Sequence, residues 1–169
     1  MRSSSAGSPS RFAILLLGLA LAGCISEGDE RDYAVYSAVI EGLAEEKGLD
    51  AVTIRDFTHY PSHAPIRSNF GHASPRLEKS TLDDFLAANA VDRPLERRFS
   101  LRGSYRLASP GDKAREVIGL SAVGYSESGD QALVFVEELE NWDAGLGYLF
   151  LLQRAGDTWQ VVGEEMVGE

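Results

Sequence analysis

Cysteine is nearly absent from this chain of 169 residues, which contains only Cys24 and so cannot form an internal disulfide. The fold must therefore be held by its core, and the residues after Cys24 are numerous enough to bury one. The sequence also lacks the glycine patterns of phosphate-binding and dinucleotide-binding loops. Gly124 to Gly129 approaches the Gly-x-Ser-x-Gly signature of serine hydrolases, but its spacing is one residue too long and it leads into a hairpin turn. We therefore assign no catalytic residues from sequence motifs.

Long hydrophobic runs are equally scarce. The longest extends over eleven residues from Phe12 to Ala22. At about 1.5 Å per helical residue, this run is too short to cross a hydrocarbon core of about 30 Å. Arg2 and Arg11 precede the run, as in the charged first region of a secretory signal. The pattern predicts a targeting segment and not a membrane span.

The run closes on Leu-Ala-Gly-Cys at positions 21–24, which resembles the lipobox of bacterial lipoproteins. The resemblance implies cleavage before Cys24, acylation of its thiol with diacylglycerol and further acylation of the freed amine. Anchoring by several acyl chains is durable and leaves the body of the protein in water. The partner implied here is a membrane, reached through the lipid alone.

These features divide the chain into a lipoprotein signal peptide at 1–23, an acidic tether at 24–31 and a single domain at 32–169. Ile25-Ser26 lacks the aspartate that resembles an inner-membrane retention signal, which favours the outer membrane if the cell has two membranes. The expected location is the cell envelope, with the body of the protein in the periplasm or outside the cell.

Positive charge is in short supply, with 16 basic against 26 acidic side chains and a net charge of −10. The signal segment holds two of the basic residues and no acidic one, so the rest of the chain is more acidic still. Such a balance argues against nucleic acid as a partner. Beyond the signal segment, only residues 55–115 carry an excess of basic side chains, which could face an anionic ligand or simply complement acidic neighbours in the fold.

Hydrophobic periodicity predicts an α+β domain. Apolar residues recur at helical spacing from Asp32 until Gly48, and a short helix follows Ser80 and Thr81. Ala51 to Phe57 has the composition of a strand. The last third contains four short strands separated by turn signals, and we predict a β-meander with these bounds: Glu116–Tyr125, Ala132–Val136, Tyr148–Leu152 and Trp159–Val162.

We therefore expect two helices packed on a four- to five-stranded, mainly antiparallel sheet, with a cone-like sheet resembling NTF2-like domains as the architectural alternative. The run Tyr148–Leu152 has no polar face and is expected to lie centrally, covered on both sides. Trp159 is expected in the core. Residues 92–101 are rich in arginine and allow no clear secondary-structure prediction.

Segments of the meander are similar to the C-terminal half of an uncharacterised group of bacterial secreted proteins. The similarity covers about residues 115–163 and rests on four segments, at 121–125, 131–136, 145–148 and 156–161. Members carry cysteines where this chain has Glu140 to Asp143, so a disulfide that the resemblance implies is absent here. The resemblance supports the fold and implies no activity.

The region from Thr58 to Lys79 holds all three histidines and three prolines, a composition typical of a long loop. Imidazole and carboxylate groups are ligands of Zn²⁺ and similar ions, and the candidate set is Asp56, His59, His63 and His72. Pro61 disfavours the helix that the spacing of His59 and His63 would need. The alternative is a solvated loop whose histidines contact neighbouring carbonyl groups, and we expect no metal or other cofactor.

Acidic residues crowd a second segment, at Glu137, Glu138, Glu140 and Asp143. Oxygen ligands of this kind suit Ca²⁺, but the spacing is not that of an EF-hand, and a charged loop beside a sheet edge is the favoured interpretation. Trp142, set between these acids, is either a platform for a ligand or a cover over the sheet edge.

Taken together, the sequence predicts a lipid-anchored envelope protein that binds a protein or small molecule of unknown identity and does not catalyse a reaction. The alternative is an envelope hydrolase or metal-dependent enzyme that uses the loop around residues 56–72.

Overall fold

The structure is a computed structural model, and it describes residues 27–61, 76–142 and 145–167. The signal peptide with its lipobox, Cys24, His63 and His72 lie outside these ranges. The described residues form two helices and seven strands: α1 Glu27–Lys47, β1 Ala51–Thr58, α2 Lys79–Ala88, β2 Ser104–Ala108, β3 Glu116–Leu120, β4 Gly124–Tyr125, β5 Gln131–Glu140, β6 Gly145–Ala155 and β7 Thr158–Val167.

The sheet has the strand order β2-β1-β3-β5-β6-β7, and the short β4 pairs with β5. β1 runs parallel to both of its neighbours, whereas β3, β5, β6 and β7 pair antiparallel in succession. The predicted α+β class, its two helices and a mostly antiparallel sheet are confirmed. The predicted strand number of four to five is too low.

Two errors account for the missing strands. The predicted strand Glu116–Tyr125 is broken into β3 and β4, because the chain leaves the ladder between Leu120 and Gly124. β2 is missing from the prediction: polar and apolar side chains alternate from Ser104 to Leu107, but the strand has only five residues and is held by parallel pairing with the distant β1.

The first helix begins at Glu27, five residues before the start that the hydrophobic pattern predicts. The sequence before Asp32 contains no apolar stripe, so periodicity alone does not detect the start of the helix. The helix ends before Gly48, whose φ of 65° is the left-handed conformation typical of a glycine after a helix. None of the described helices is long and apolar enough to cross a bilayer.

Side chains of successive strand residues point to opposite faces of the sheet, which divides the core into two clusters. The α1 face, as we call it, packs against Tyr36, Val39 and Ile40 of the first helix. Its strand residues are Val52, Ile54, Leu120, Ala132, Val134, Val136, Phe150, Leu152 and Trp159. The opposite side, the α2 face, packs against Phe85 of the second helix through Leu133, Phe135, Leu149 and Leu151.

Strand β6 contributes alternately to both clusters. Leu149 and Leu151 lie on the α2 face, and Phe150 and Leu152 on the α1 face; each is buried. β6 pairs with a strand on each side, so the predicted coverage of both its faces is confirmed, but it lies one strand from the β7 edge and not at the centre of the sheet.

Candidate functional site

The two described members of the predicted metal set have different partners. Asp56 accepts a hydrogen bond from the hydroxyl of Ser109, just beyond β2. His59 follows β1, and its Nδ1 lies 3.3 Å from Oδ2 of Asp92. In the described ranges no three histidine, cysteine or acidic side chains are arranged to hold a metal ion.

The predicted acidic cluster is divided by the alternation of strand β5. Glu138 points to the α1 face, where its carboxylate pairs with Lys47 at the end of the first helix. Glu137 points to the α2 face, where its carboxylate lies beside Arg55. The carboxylates of Glu137 and Glu138, which are adjacent in sequence, therefore lie on opposite faces of the sheet.

An open hollow of about 530 Å³ lies on the α2 face, beyond the part that the second helix covers. Tyr60 marks the boundary, because its ring packs edge-on against Phe85 at 5.1 Å and Phe135 at 5.3 Å. The hollow is lined by Arg55, Phe57, His59, Asp92, Pro110, Glu137, Leu139 and Trp142. Its size is within the range of roughly 300–1,000 Å³ that is usual for small-molecule sites.

Arg55 is the unusual residue of this hollow. Its side chain is 10 % exposed, yet no described residue accepts a hydrogen bond from its guanidinium group. Among the described residues the nearest opposite charge is Oε2 of Glu137, 3.5 Å from Nη2, and Nε is buried with no hydrogen-bond partner in these ranges. A guanidinium group has five N–H donors, and buried polar groups are nearly always hydrogen-bonded. Arg55 is thus a buried cation with unused donors.

Neighbouring residues explain how Arg55 fits in the sheet. Gly119 stands opposite Glu137 in the β3–β5 ladder, and a Cβ atom there would lie at an ordinary contact distance of 3.5 Å from Nη1 of Arg55. The guanidinium carbon is 5.4 Å from the centre of the Phe57 ring, close enough for a cation–π contact. The register of β1 against β3 also shifts between Ile54 and Thr58, so Arg55 lies within a local irregularity of the strand.

Trp142 forms part of the wall of the hollow. It follows Asn141 in the hairpin between β5 and β6, and both residues have positive φ, 67° for Trp142 and 52° for Asn141. This conformation is strained for an aromatic residue, and such strain is concentrated at functional sites. The indole N–H donates a hydrogen bond to the carbonyl of Asp112 at 2.8 Å, which orients the ring.

A larger hollow, of about 650 Å³, lies between the end of α1 and the strands β1 and β3. Its charged residues include Lys47 and Glu138, which already pair with each other. This hollow therefore offers no buried charge that lacks a partner, and we consider the Arg55 hollow the better candidate.

The buried tyrosines of the α1 face have structural partners. Tyr36 donates a hydrogen bond to the carbonyl of Ser121 at 3.0 Å, and Tyr125 to Oδ1 of Asp32 at 2.7 Å. Burial, and then the charge of Asp32, raise the pKa of both phenols above their ordinary value. Phenols with raised pKa values stay protonated near neutral pH, so these groups are poorly suited to exchange protons. Their hydrogen bonds hold the first helix against the sheet.

The chain matches no protein-family model, and no curated protein or solved structure is significantly similar to it. The candidate site therefore rests on the geometry of the described residues.

Sequence reasoning did not single out Arg55, although one signal was present. Arg55 and Asp56 interrupt the otherwise apolar and β-branched stretch Ala51–Phe57. A charge inside such a strand is costly unless it has a partner, and it therefore indicates a functional or paired group.

Proposed function

We propose that this protein is a lipid-anchored component of the bacterial cell envelope whose domain binds a ligand in the Arg55 hollow without transforming it. One observation carries the binding role: a buried guanidinium group with unused donors lines an open hollow of suitable size. Leaving such a group without partners costs free energy, and a ligand that accepts its hydrogen bonds would recover that cost.

The lipid anchor is proposed on the Leu-Ala-Gly-Cys sequence at 21–24. Only two residues separate Cys24 from the first residue of α1, so the domain would stand directly at the membrane surface. The absence of aspartate after Cys24 supports the outer membrane in a cell with two membranes.

A cone-like sheet of the NTF2-like type is the finer architectural proposal. Its support is the pair of register shifts, between Ile54 and Thr58 in β1 and between Leu151 and Leu152 in β6. Bulges increase the local twist of a strand and bend it, which curls a sheet.

The anchor is tested by replacing Cys24 with serine in the full chain. The wild-type protein is expected to incorporate labelled fatty acid and to stay with membranes after a high-salt wash, and Cys24→Ser to do neither. Unchanged labelling and partition of the variant would contradict the anchor.

The binding role is tested with anilinonaphthalene sulfonate, an aromatic anion that becomes fluorescent in apolar sites. In a mild non-ionic detergent, and above the fluorescence of the dye in detergent alone, the full chain is expected to bind one equivalent, and Arg55→Met to abolish this protein-dependent signal. Arg102→Met is the matched control, because Arg102 is an exposed arginine that pairs with Glu41 far from the hollow. Equal fluorescence in all three proteins, or none in any, would exclude binding in the hollow.

One observation favours the second candidate, an envelope hydrolase or metal-dependent enzyme. His59, on the wall of the hollow, lies beside Asp92 as a general base lies beside its orienting carboxylate. Elemental analysis of protein purified without chelators separates the candidates. We expect no stoichiometric metal and unchanged stability, within about 0.5 kcal/mol, in His59→Ala. One zinc per chain that is lost in His59→Ala would move the enzyme to first place.

A further inference from the structure

The Arg55 hollow presents two opposite charges that do not satisfy each other. The carboxylate of Glu137 is 22 % exposed at the side chain and lies 3.5 Å from the guanidinium group, without a hydrogen bond between them. A close Arg–carboxylate pair normally forms two parallel hydrogen bonds. Here the two groups stand side by side, and each keeps hydrogen-bonding capacity that faces the hollow.

This arrangement distinguishes between ligands that are anionic, ligands that are cationic and ligands that carry both charges. A simple anion would gain hydrogen bonds from Arg55 but would be repelled by Glu137, and a simple cation would meet the reverse situation. A group that carries a carboxylate and an ammonium on the same carbon atom can satisfy both side chains together. We propose that the hollow binds the α-amino-carboxylate group of an amino acid, its carboxylate on Arg55 and its ammonium on Glu137.

Apolar walls beside the charged pair indicate what the rest of the ligand is. Leu139 lies two residues from Glu137 on the same face of β5, and Phe57 lies two residues from Arg55 on β1. The ring of Trp142, oriented by its hydrogen bond to Asp112, completes the wall. An apolar or aromatic amino-acid side chain would bury its surface against these groups.

Other charges at the hollow do not disturb this assignment. His59 and Asp92 lie against each other, and their side chains are 40 % and 53 % exposed. The carboxylate of Asp92 is therefore better solvated than the charges of Arg55 and Glu137, and it acts more weakly on a bound ligand.

This inference rests on the proposed binding role. Three probes of similar shape test the preference for an amino acid separately from the binding of any ligand in the hollow. L-Phenylalanine carries both charges, 3-phenylpropanoate only the carboxylate and 2-phenylethylamine only the ammonium. Isothermal titration of the full chain in non-ionic detergent is expected to show phenylalanine binding at least about tenfold more tightly than either single-charge probe, which corresponds to roughly one charge-assisted hydrogen bond.

Two near-isosteric variants assign the charges. Arg55→Met should weaken phenylalanine binding by at least about tenfold, and Arg102→Met should leave it unchanged. Glu137→Gln should remove the preference for phenylalanine over 3-phenylpropanoate. Because the comparison of probes on the wild-type protein needs no variant, the inference stays testable even if a variant does not fold.

The outcomes that overturn the inference are distinct from those that overturn the binding role. If 3-phenylpropanoate or 2-phenylethylamine binds the wild-type protein as tightly as phenylalanine, the hollow takes a ligand of one charge and only the amino-acid inference is wrong. If anilinonaphthalene sulfonate binds in the hollow and none of the three probes does, the same conclusion holds. If neither anilinonaphthalene sulfonate nor any of the three probes binds, the binding role is wrong as well.

Discussion

The two faces of the sheet differ in how completely they are covered. On the α1 face, the first helix lies over apolar strand residues, and its polar side chains find partners, such as the hydrogen bond from Tyr125 to Asp32. On the α2 face, the shorter second helix covers only part of the sheet around Leu133 and Phe135. The part that no described residue range covers carries Arg55 and Glu137.

The covered α1 face contributes to stability, whereas the part of the α2 face beyond the second helix leaves room for a ligand. A buried charge without hydrogen bonds lowers stability, so its presence on the uncovered part of one face indicates a role other than packing.

Removal of an aromatic side chain from the covered α1 face should cost most. Trp159 is buried and its ring lies 5.9 Å from that of Tyr125. Trp159→Ala is expected to lower the free energy of unfolding by about 3–5 kcal/mol, measured by urea denaturation. Val161→Ala is the control on the same strand, because Val161 is 43 % exposed, and it should change stability by less than about 0.5 kcal/mol. Equal midpoints for both variants would contradict the proposed core.

Two glycines on the α2 face compare its covered and open parts. A Cβ atom on Gly124 would lie 2.3 Å from backbone atoms of Phe85, whereas one on Gly119 would approach nothing closer than 3.4 Å. Gly124→Ala should therefore cost about 1–3 kcal/mol, because the second helix must shift. Gly119→Ala should stay within about 0.5 kcal/mol of the wild type. Comparable losses in the two variants would show that both parts of the face are tightly packed.

The hydrogen bond from Tyr125 to Asp32 tests the polar contacts of the α1 face. Tyr125→Phe should cost about 0.5–1.5 kcal/mol at neutral pH, because it removes the donor. Tyr105→Phe is the control, since its ring packs 5.3 Å from Phe99 but its hydroxyl has no hydrogen bond to a described residue.

Burial and the charge of Asp32 raise the pKa of Tyr125, which predicts a pH dependence. A phenol whose pKa is higher in the folded state contributes its stability below the unfolded pKa of about 10 and loses it as the pH rises further. The free energy of unfolding of the wild type should therefore fall above about pH 10, and less steeply in Tyr125→Phe. Identical slopes for the two proteins would contradict the assignment.

The smallest stability change is expected at the proposed binding site. Joint replacement of Arg55 by Met and Glu137 by Gln removes two charges and keeps the side-chain volumes nearly unchanged. We expect a result between no change and a gain of about 1 kcal/mol in urea denaturation, since desolvated ion pairs contribute little net stability. A loss above about 2 kcal/mol would indicate that the pair supports the fold and not a ligand.

Much of the fold could be predicted because local pattern and tertiary role agree there. The helical repeat before Gly48, the strand from Ala51 and the apolar run of β6 each occupy the predicted element. β2 could not be predicted, because its strand conformation depends on pairing with β1, more than forty positions away. The candidate site could not be predicted for a similar reason. Arg55 and Glu137 are distant in sequence and meet only when β1, β3 and β5 pair.

The sequence by itself determined the fold class and the helical and apolar strand segments, and it carries the lipobox pattern on which the proposed anchor rests. These features depend on composition and on periodicities of two and 3.6 residues, which are local properties. Only the tertiary structure decided which charges meet, because the strand order brings Arg55 to Glu137 and the alternation of β5 directs Glu138 to Lys47 on the other face. The extent of the second helix decided which part of the α2 face the described residues leave uncovered, since coverage depends on packing between distant segments and not on any local pattern.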